Sequence, residues 1–220
     1  MSTYRCSQCG CRIEVAEGTK IGTCPACQAV FVLPNQFAQK ENLYLLASDA
    51  RHSGNYDMAM NYYGRILKVD GAEPEANWGY LLSKYGVEIS ENALDYGGVL
   101  FHRVEHSSFL KDPAYEKMMT YVPKAARHYY EGTARDIDLQ HRKLMAVSKA
   151  MEAPDICIDC TAAPGSEDYL LSVQIGKALE DAGYRIFHPA MLANVDRRDL
   201  NIYEMAAAEK AEAMLVVMTP

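Results

Sequence analysis

Asp155-Ile156-Cys157-Ile158-Asp159-Cys160, followed by Thr161-Ala162-Ala163-Pro164-Gly165 and then Ser166-Glu167-Asp168, decides the fold of the last third of the chain. The apolar burst Ile156-Cys157-Ile158 reads as a short strand, and the small residues after it as a loop. Ser166 ahead of two acids opens a segment with apolar residues at Leu171, Ile175, Ala178 and Leu179, the pattern of a capped amphipathic helix. Gly183 closes it, because glycine accepts the left-handed conformation just past a helix end. Tyr184-Arg185-Ile186-Phe187-His188 gives a second strand. A loop, a second helix and the apolar run Met214 to Met218 complete a β-α-β-α-β alternation. That alternation predicts right-handed crossovers and a parallel sheet with helices on its faces.

Outward from this segment, the composition sets limits. The chain has 220 residues, 49% of them hydrophobic, and a net charge of −7, which describes a globular protein with no basic cluster to attract nucleic acid or anionic membrane. No apolar run approaches the roughly 20 residues that cross a bilayer, and Met1-Ser2-Thr3-Tyr4-Arg5-Cys6 lacks a secretory core, so a cytoplasmic location is expected.

Four of the seven cysteines fall in two tight pairs, Cys6-Ser7-Gln8-Cys9 and Cys24-Pro25-Ala26-Cys27, with fourteen residues between them. Each pair can wrap a knuckle around a metal, and four thiolates with no open position describe a structural zinc site. A redox dithiol is the alternative, but so short a segment has no core without a metal. Arg12-Ile13-Glu14-Val15 and Gly18 add a strand and turn, giving a zinc ribbon over residues 1–34. Cys11 lies outside both knuckles. Pro34-Asn35-Gln36 reads as a linker. A third such pair, Cys157-Ile158-Asp159-Cys160, sits at the end of a presumed buried strand, where packing is expected and redox chemistry is not.

Residues 40–151 read as helical. Asn55 precedes a helix with Ala59, Tyr63, Ile66 and Leu67 on one face, and Pro74 opens another with Trp78, Leu81, Leu82 and Tyr85, ended by Gly86. With Leu43 to His52 as a first helix, this is either a tetratricopeptide-like unit or an ordinary helical hairpin. Ser90 to Phe109, with Gly97-Gly98, reads as a loop or short hairpin, and His102-Arg103 within it as structural or surface groups. Asp112 and Pro113 start a further helix that Pro123 interrupts. Lys124 to Met151 is a long helix with Tyr130, Ile137, Leu144 and Met151 at seven-residue steps. Thr133, Gln140 and Val147 at the companion position are poor for a coiled coil, so it lies on its neighbours or forms a stalk.

The C-terminal pattern resembles the first half of a Toll/interleukin-1 receptor (TIR) domain of the bacterial kind. The resemblance is carried by the opening strand Asp155 to Ile158, by Ala178-Leu179-Glu180-Asp181-Ala182-Gly183-Tyr184 with Arg185-Ile186-Phe187, and by Ala213 to Val217. Glu75 to Gly86, with His102-Arg103 and Ser108-Phe109, is similar to a stretch in a group of bacterial TIR proteins that carry a zinc ribbon, a helical region and then the TIR domain. The resemblance implies a multidomain chain: zinc ribbon at 1–34, an all-α, TPR-like region at 40–151, and a doubly wound parallel sheet of flavodoxin-like order at 153–220. It implies signalling or defence, NAD as a substrate cleaved at the nicotinamide–ribose bond, and self-association or contact with other TIR domains.

Family members carry a catalytic glutamate in the helix after the third strand. Only Thr219 and Pro220 follow that strand here, so no catalytic residue is assigned, and the chain is expected to be a fragment of a longer product or to need a partner for its other half. Glu204, in the preceding helix, is expected to point outward, since Ile202, Met205 and Ala206 form the apolar stripe. His188 to Leu192 and Asp196 to Asp199 occupy the loop that relatives use for assembly. An apolar third strand without blocking charge is expected to be an exposed edge. Two functions follow: an NAD glycohydrolase in complete form, or a non-catalytic TIR-like scaffold.

Overall fold

The computed structural model describes residues 2–34, 37–89, 98–160, 164–192 and 194–217. Asn35-Gln36 of the expected linker, Ser90 to Gly97, the loop residues Thr161-Ala162-Ala163 and the stretch from Met218 to Pro220 lie outside them. The chain divides into two compact units, and the division falls within one long helix, after Arg142.

The N-terminal unit begins with two antiparallel hairpins. β1 (Ser2–Arg5) pairs with β2 (Arg12–Val15), Tyr4 opposite Ile13, and β3 (Ile21–Thr23) pairs with β4 (Val30–Val32). Three helices follow: α1 (Phe37–His52), α2 (Tyr56–Val69) and α3 (Pro74–Lys84). Asn55 caps α2 by accepting the Met58 amide at 3.2 Å, and Pro74 stands at the start of α3, where no amide donor is needed. Gly86, at φ +58, turns the chain out of α3 beside the backbone of Arg103, which would meet any added Cβ.

The region expected to be all-α over 40–151 is interrupted by an antiparallel pair, β5 (Val87–Ile89) with β6 (Val99–Phe101); β5 precedes the stretch from Ser90 to Phe109 that the sequence left as loop or hairpin, and β6 falls within it. A 3₁₀ turn at Phe109–Lys111 leads to α4 (Pro113–Tyr121), whose cap Asp112 accepts the Ala114 amide at 2.9 Å and an ion pair from Lys84 at 2.7 Å. Pro123 separates it from α5 (Lys124–Ala150).

The expected stripe of α3 is buried, but so is nearly everything else on it: Glu75, Ala76, Asn77, Gly79 and Ser83 join Trp78, Leu81 and Leu82. Gly79 makes this possible, because the Tyr63 ring of α2 lies directly against its Cα and leaves no room for a Cβ. Trp78 meets Tyr130 of α5 edge-on at 5.3 Å and Phe109 at 5.9 Å. Each large side chain removed from water here contributes about 1.5–3 kcal/mol. Tyr130 and Ile137, two of the seven-step residues of α5, are fully buried within this unit.

The C-terminal unit holds a three-stranded parallel sheet in the order β8 (Ile186–Phe187), β7 (Ile156–Asp159), β9 (Ala213–Val216), with Ile156 opposite both Ile186 and Ala213. α6 (Glu167–Asp181) connects β7 to β8, and α7 (Leu200–Lys210) connects β8 to β9. Gly176 of α6 sits against Ile158, while Ala207 of α7 clusters with Cys157, the next residue on the strand and hence on the opposite face. Ser166 caps α6 as expected, accepting the Tyr169 amide at 3.3 Å, and Gly183 is left-handed at φ +95.

Two expectations are corrected. The second strand spans Ile186–Phe187 alone, because Arg185 turns aside to pair with Asp155 at 2.5 Å and Tyr184 is exposed. The buried stripe of α6 runs through Ser172 and Gly176 and leaves Leu171 45% exposed. Small residues let the helix approach the sheet closely, so the larger ones on its flanks stay outside.

Candidate metal centre

Cys6, Cys9, Cys24 and Cys27 converge, their sulfurs all within 4.8 Å of one another. Cys6 Sγ lies 3.6 Å from Cys27 Sγ, and Cys9 Sγ 3.7 Å from Cys24 Sγ. All four are free thiols. A metal about 2.3 Å from each of four tetrahedral sulfurs sets them about 3.8 Å apart, so the spacing fits a metal ion.

The two hairpins build this site as near copies of each other, offset by eighteen residues. Cys6 N–H donates to Cys11 O at 2.9 Å and Gly10 N–H to Cys6 O at 3.0 Å; Cys24 N–H donates to Ala29 O at 2.8 Å and Gln28 N–H to Cys24 O at 3.0 Å. In the first knuckle the left-handed position is Gly10, at φ +74; in the second it is Gln28, at φ +59. A side chain there opposes its own backbone. Gln28→Gly is therefore expected to stabilise the N-terminal unit by about 1 kcal/mol, read as a raised midpoint in urea unfolding. An unchanged or lowered midpoint would refute it.

Electrostatics make the same point as geometry. Burial pushes the Cys6 thiol up, and the neighbouring Cys9 and Cys24 charges push further, against backbone amides of Cys9 and Gln8 that favour the thiolate. Four thiolates this close need a cation among them. Cys11 stands beside the set, raised by desolvation and by Cys24 and Cys9, with its thiol on Arg12 O at 3.5 Å. The four-sulfur arrangement leaves a tetrahedral ion no open position, so its role is to hold the fold.

Around the centre lies a polar core that the sequence did not announce. Glu75 is 1% exposed and accepts from the hydroxyls of Tyr4 and of Tyr130 (2.9 Å) and from Val32 N–H (3.2 Å). Burial raises its carboxyl, and the hydrogen bonds from Tyr4, Ser7, Tyr130 and Val32 work in the other direction. Glu73 nearby accepts from the Tyr44 hydroxyl and pairs with Lys40. The available signal was fifteen tyrosines against five phenylalanines, since buried tyrosine hydroxyls need acceptors.

The C-terminal unit has a cleft of about 160 Å³ by the carboxyl ends of its strands, lined by Cys157, Asp159, Asn201 and Glu204 among others. Glu204 therefore does not lie on a solvated face as expected: it is half-buried, and burial together with the Asp159 charge raises its carboxyl. Cys157 is buried, its thiol pushed up to about 11 by burial, Asp159 and Glu204, which suits packing and opposes redox attack.

A Ser–His contact in the same unit is not a nucleophile and its base. Ala190 N–H donates to His188 Nδ1 at 2.9 Å, so the proton sits on Nε2, which donates to Ser172 Oγ at 2.8 Å. The Ser172 hydroxyl is itself spent on Tyr169 O at 2.7 Å.

No protein-family model, curated protein or solved structure matches the chain. No helix among the described residues is long and apolar enough to cross a membrane.

Proposed function

We propose that the chain is a cytoplasmic signalling or defence protein of the bacterial TIR type, in which a structural zinc held by Cys6, Cys9, Cys24 and Cys27 stabilises a helical, TPR-like region. Its reaction is the cleavage of NAD at the nicotinamide–ribose bond. The observation that carries this reading is the parallel order β8-β7-β9, with α6 and α7 on opposite faces of the sheet and two carboxylates at a cleft by the strand ends. Doubly wound sheets take ligands outside the carboxyl ends of their strands, where the strand order reverses. A carboxylate there can stabilise the oxocarbenium-like ribose as the bond breaks.

A second reading, a non-catalytic scaffold that self-associates or binds other TIR domains, is favoured by exposed apolar residues. These are Leu170 and Leu171 on α6 and Met214 and Val216 on β9, each 45–54% exposed. The deciding experiment incubates the natural gene product with NAD and follows nicotinamide release by chromatography, alongside its mass by light scattering across a concentration series. Release above the protein-free rate supports the enzyme. Concentration-dependent association without release supports the scaffold. A monomer that leaves NAD intact removes both.

A further inference from the structure

A cavity of about 360 Å³ opens in the N-terminal unit, lined by Arg51 and His52 from the end of α1, Gly54 and Tyr56 from the turn into α2, and Glu88 and His102 from the β5–β6 hairpin. Arg51 is the unusual member. It is 4% exposed, yet its recorded hydrogen-bond acceptors are neutral: Val87 O at 2.9 Å from Nη1, and the His52 ring nitrogen at 3.2 Å from Nη2. His52 Nδ1 lies 2.7 Å from Ser48 O and donates to it, which leaves Nε2 as the acceptor for Arg51. Arg51 Nε is buried without a partner, and among the described residues no carboxylate forms an ion pair with Arg51. Of its five N–H donors, these two and one to the Tyr63 side chain are engaged, all by neutral groups, so the charge itself is left without an opposite partner. A buried charge without a counter-charge is strongly disfavoured unless something supplies one.

The surroundings select for an anion. α2 starts at this cavity, with Gly54 left-handed at φ +74 and Asn55 as cap. The Tyr56 and Met58 amides already donate to Gly54 O and Asn55 Oδ1, and Asp57 of the same turn is paired with Arg103, so the helix offers the positive end of its dipole and no free row of donors. His102 stacks on Tyr56 at 5.9 Å and donates from Nε2 to Glu88 at 2.9 Å; as an imidazolium, with its second proton on Nδ1, the ring donates to Glu88 and to an anion at once. Among the described residues Glu88 is the acid that lines the cavity, and it is 54% exposed and engaged by that histidine. Arg103, paired with Asp57 at 2.8 Å, has a buried Nη1 without a partner and adds positive charge felt at Tyr56.

We propose that this cavity binds an oxyanion of the phosphate class, held by Arg51 at the positive end of α2 and covered by His102. The fixed fork of a guanidinium matches two phosphate oxygens, and the helix end contributes its positive dipole. The cavity is larger than a phosphate ion requires, so the phosphate tail of a nucleotide fits as well as the free ion.

The test is titration calorimetry of the full chain with inorganic phosphate and, separately, with ADP, at constant ionic strength set with chloride. Saturable binding of one ligand per chain is expected, with affinity lowered about tenfold or more by Arg51→Gln and by His102→Ala. Equal affinities would identify free phosphate as the ligand; tighter ADP, with the same losses in the variants, would identify the phosphate of a larger molecule. Absence of saturable binding by either ligand overturns the proposal. Should Arg51→Gln not fold, His102→Ala decides alone: it lies at the surface, and unchanged affinity in that variant overturns the proposal too.

Discussion

Cys24→Ser is expected to unfold the entire N-terminal unit, helices included, rather than loosen two hairpins. Cys6 and Cys24 belong to one buried cluster with Tyr4, Phe31, Phe37, Tyr44, Ala47, Tyr63 and Ile66, so the metal centre and the packing of α1 and α2 share a core. Cys24 is fully buried, and serine offers no thiolate to complete the set. Structural zinc sites contribute about 10–16 kcal/mol of apparent binding energy. A domain's whole stability is about 5–15 kcal/mol, so losing the ion removes an amount comparable to the stability of the whole unit. Far-UV circular dichroism with and without a strong chelator, together with one metal per wild-type chain by elemental analysis, checks this. A helical signal that survives metal removal would show that the core stands without its centre.

Glu75→Ala is the second large effect, expected to cost about 3–5 kcal/mol because the donors of Tyr4, Tyr130 and Val32 lose their common acceptor inside the core. Glu75→Gln keeps one acceptor oxygen and should cost less. The pair also separates charge from shape. The carboxyl's folded value is raised above its ordinary 4.5. Below that ordinary value the acid is protonated in both folded and unfolded chains and carries no charge penalty. As pH rises toward the elevated value the folded chain binds more protons than the unfolded one, so stability falls through that window and levels off above it. Urea unfolding at a series of pH values should therefore show the wild type losing stability relative to Glu75→Gln on raising pH from about 4.5. A constant difference between the two would mean that the carboxyl titrates normally.

What the sequence made legible was local chemistry. Cys6, Cys9, Cys24 and Cys27 carry their geometry in their spacing. Asn55, Pro74, Asp112, Pro123, Ser166 and Gly183 stand at helix ends because capping and proline geometry act within a few residues. The parallel sheet followed from alternation. Contacts between distant segments left no periodic trace. α3 is buried on nearly all sides because Gly79 admits Tyr63, and a one-faced stripe cannot show that. α6 turned its expected stripe for a similar reason: Ile175 and Leu179 stay half-buried, but Ser172 and Gly176 win closest contact by being small, whereas apolarity alone favoured Leu171. Glu75 and Arg51 drew no reading of their own from the sequence, because their burial comes from contacts with distant segments. Glu204 was assigned to solvent from its apolar neighbours, although Asp159 shares its cleft.

The bonds that Glu75 gathers also impose a timetable. During synthesis Tyr4, Val32 and Glu75 leave the ribosome early, but Tyr130 follows Glu75 by 55 residues. Tyr129, which donates to Gln8, follows it by 121. At about 5–20 residues per second, the nascent chain carries a carboxylate short of one donor for roughly 3 to 11 seconds before α5 can reach it. The early segments can gather around their cysteines in that interval, yet their lock arrives from far downstream. A ribosome paused ahead of α5 would therefore display an assembled but unfastened N-terminal unit, open to proteases that the finished protein resists.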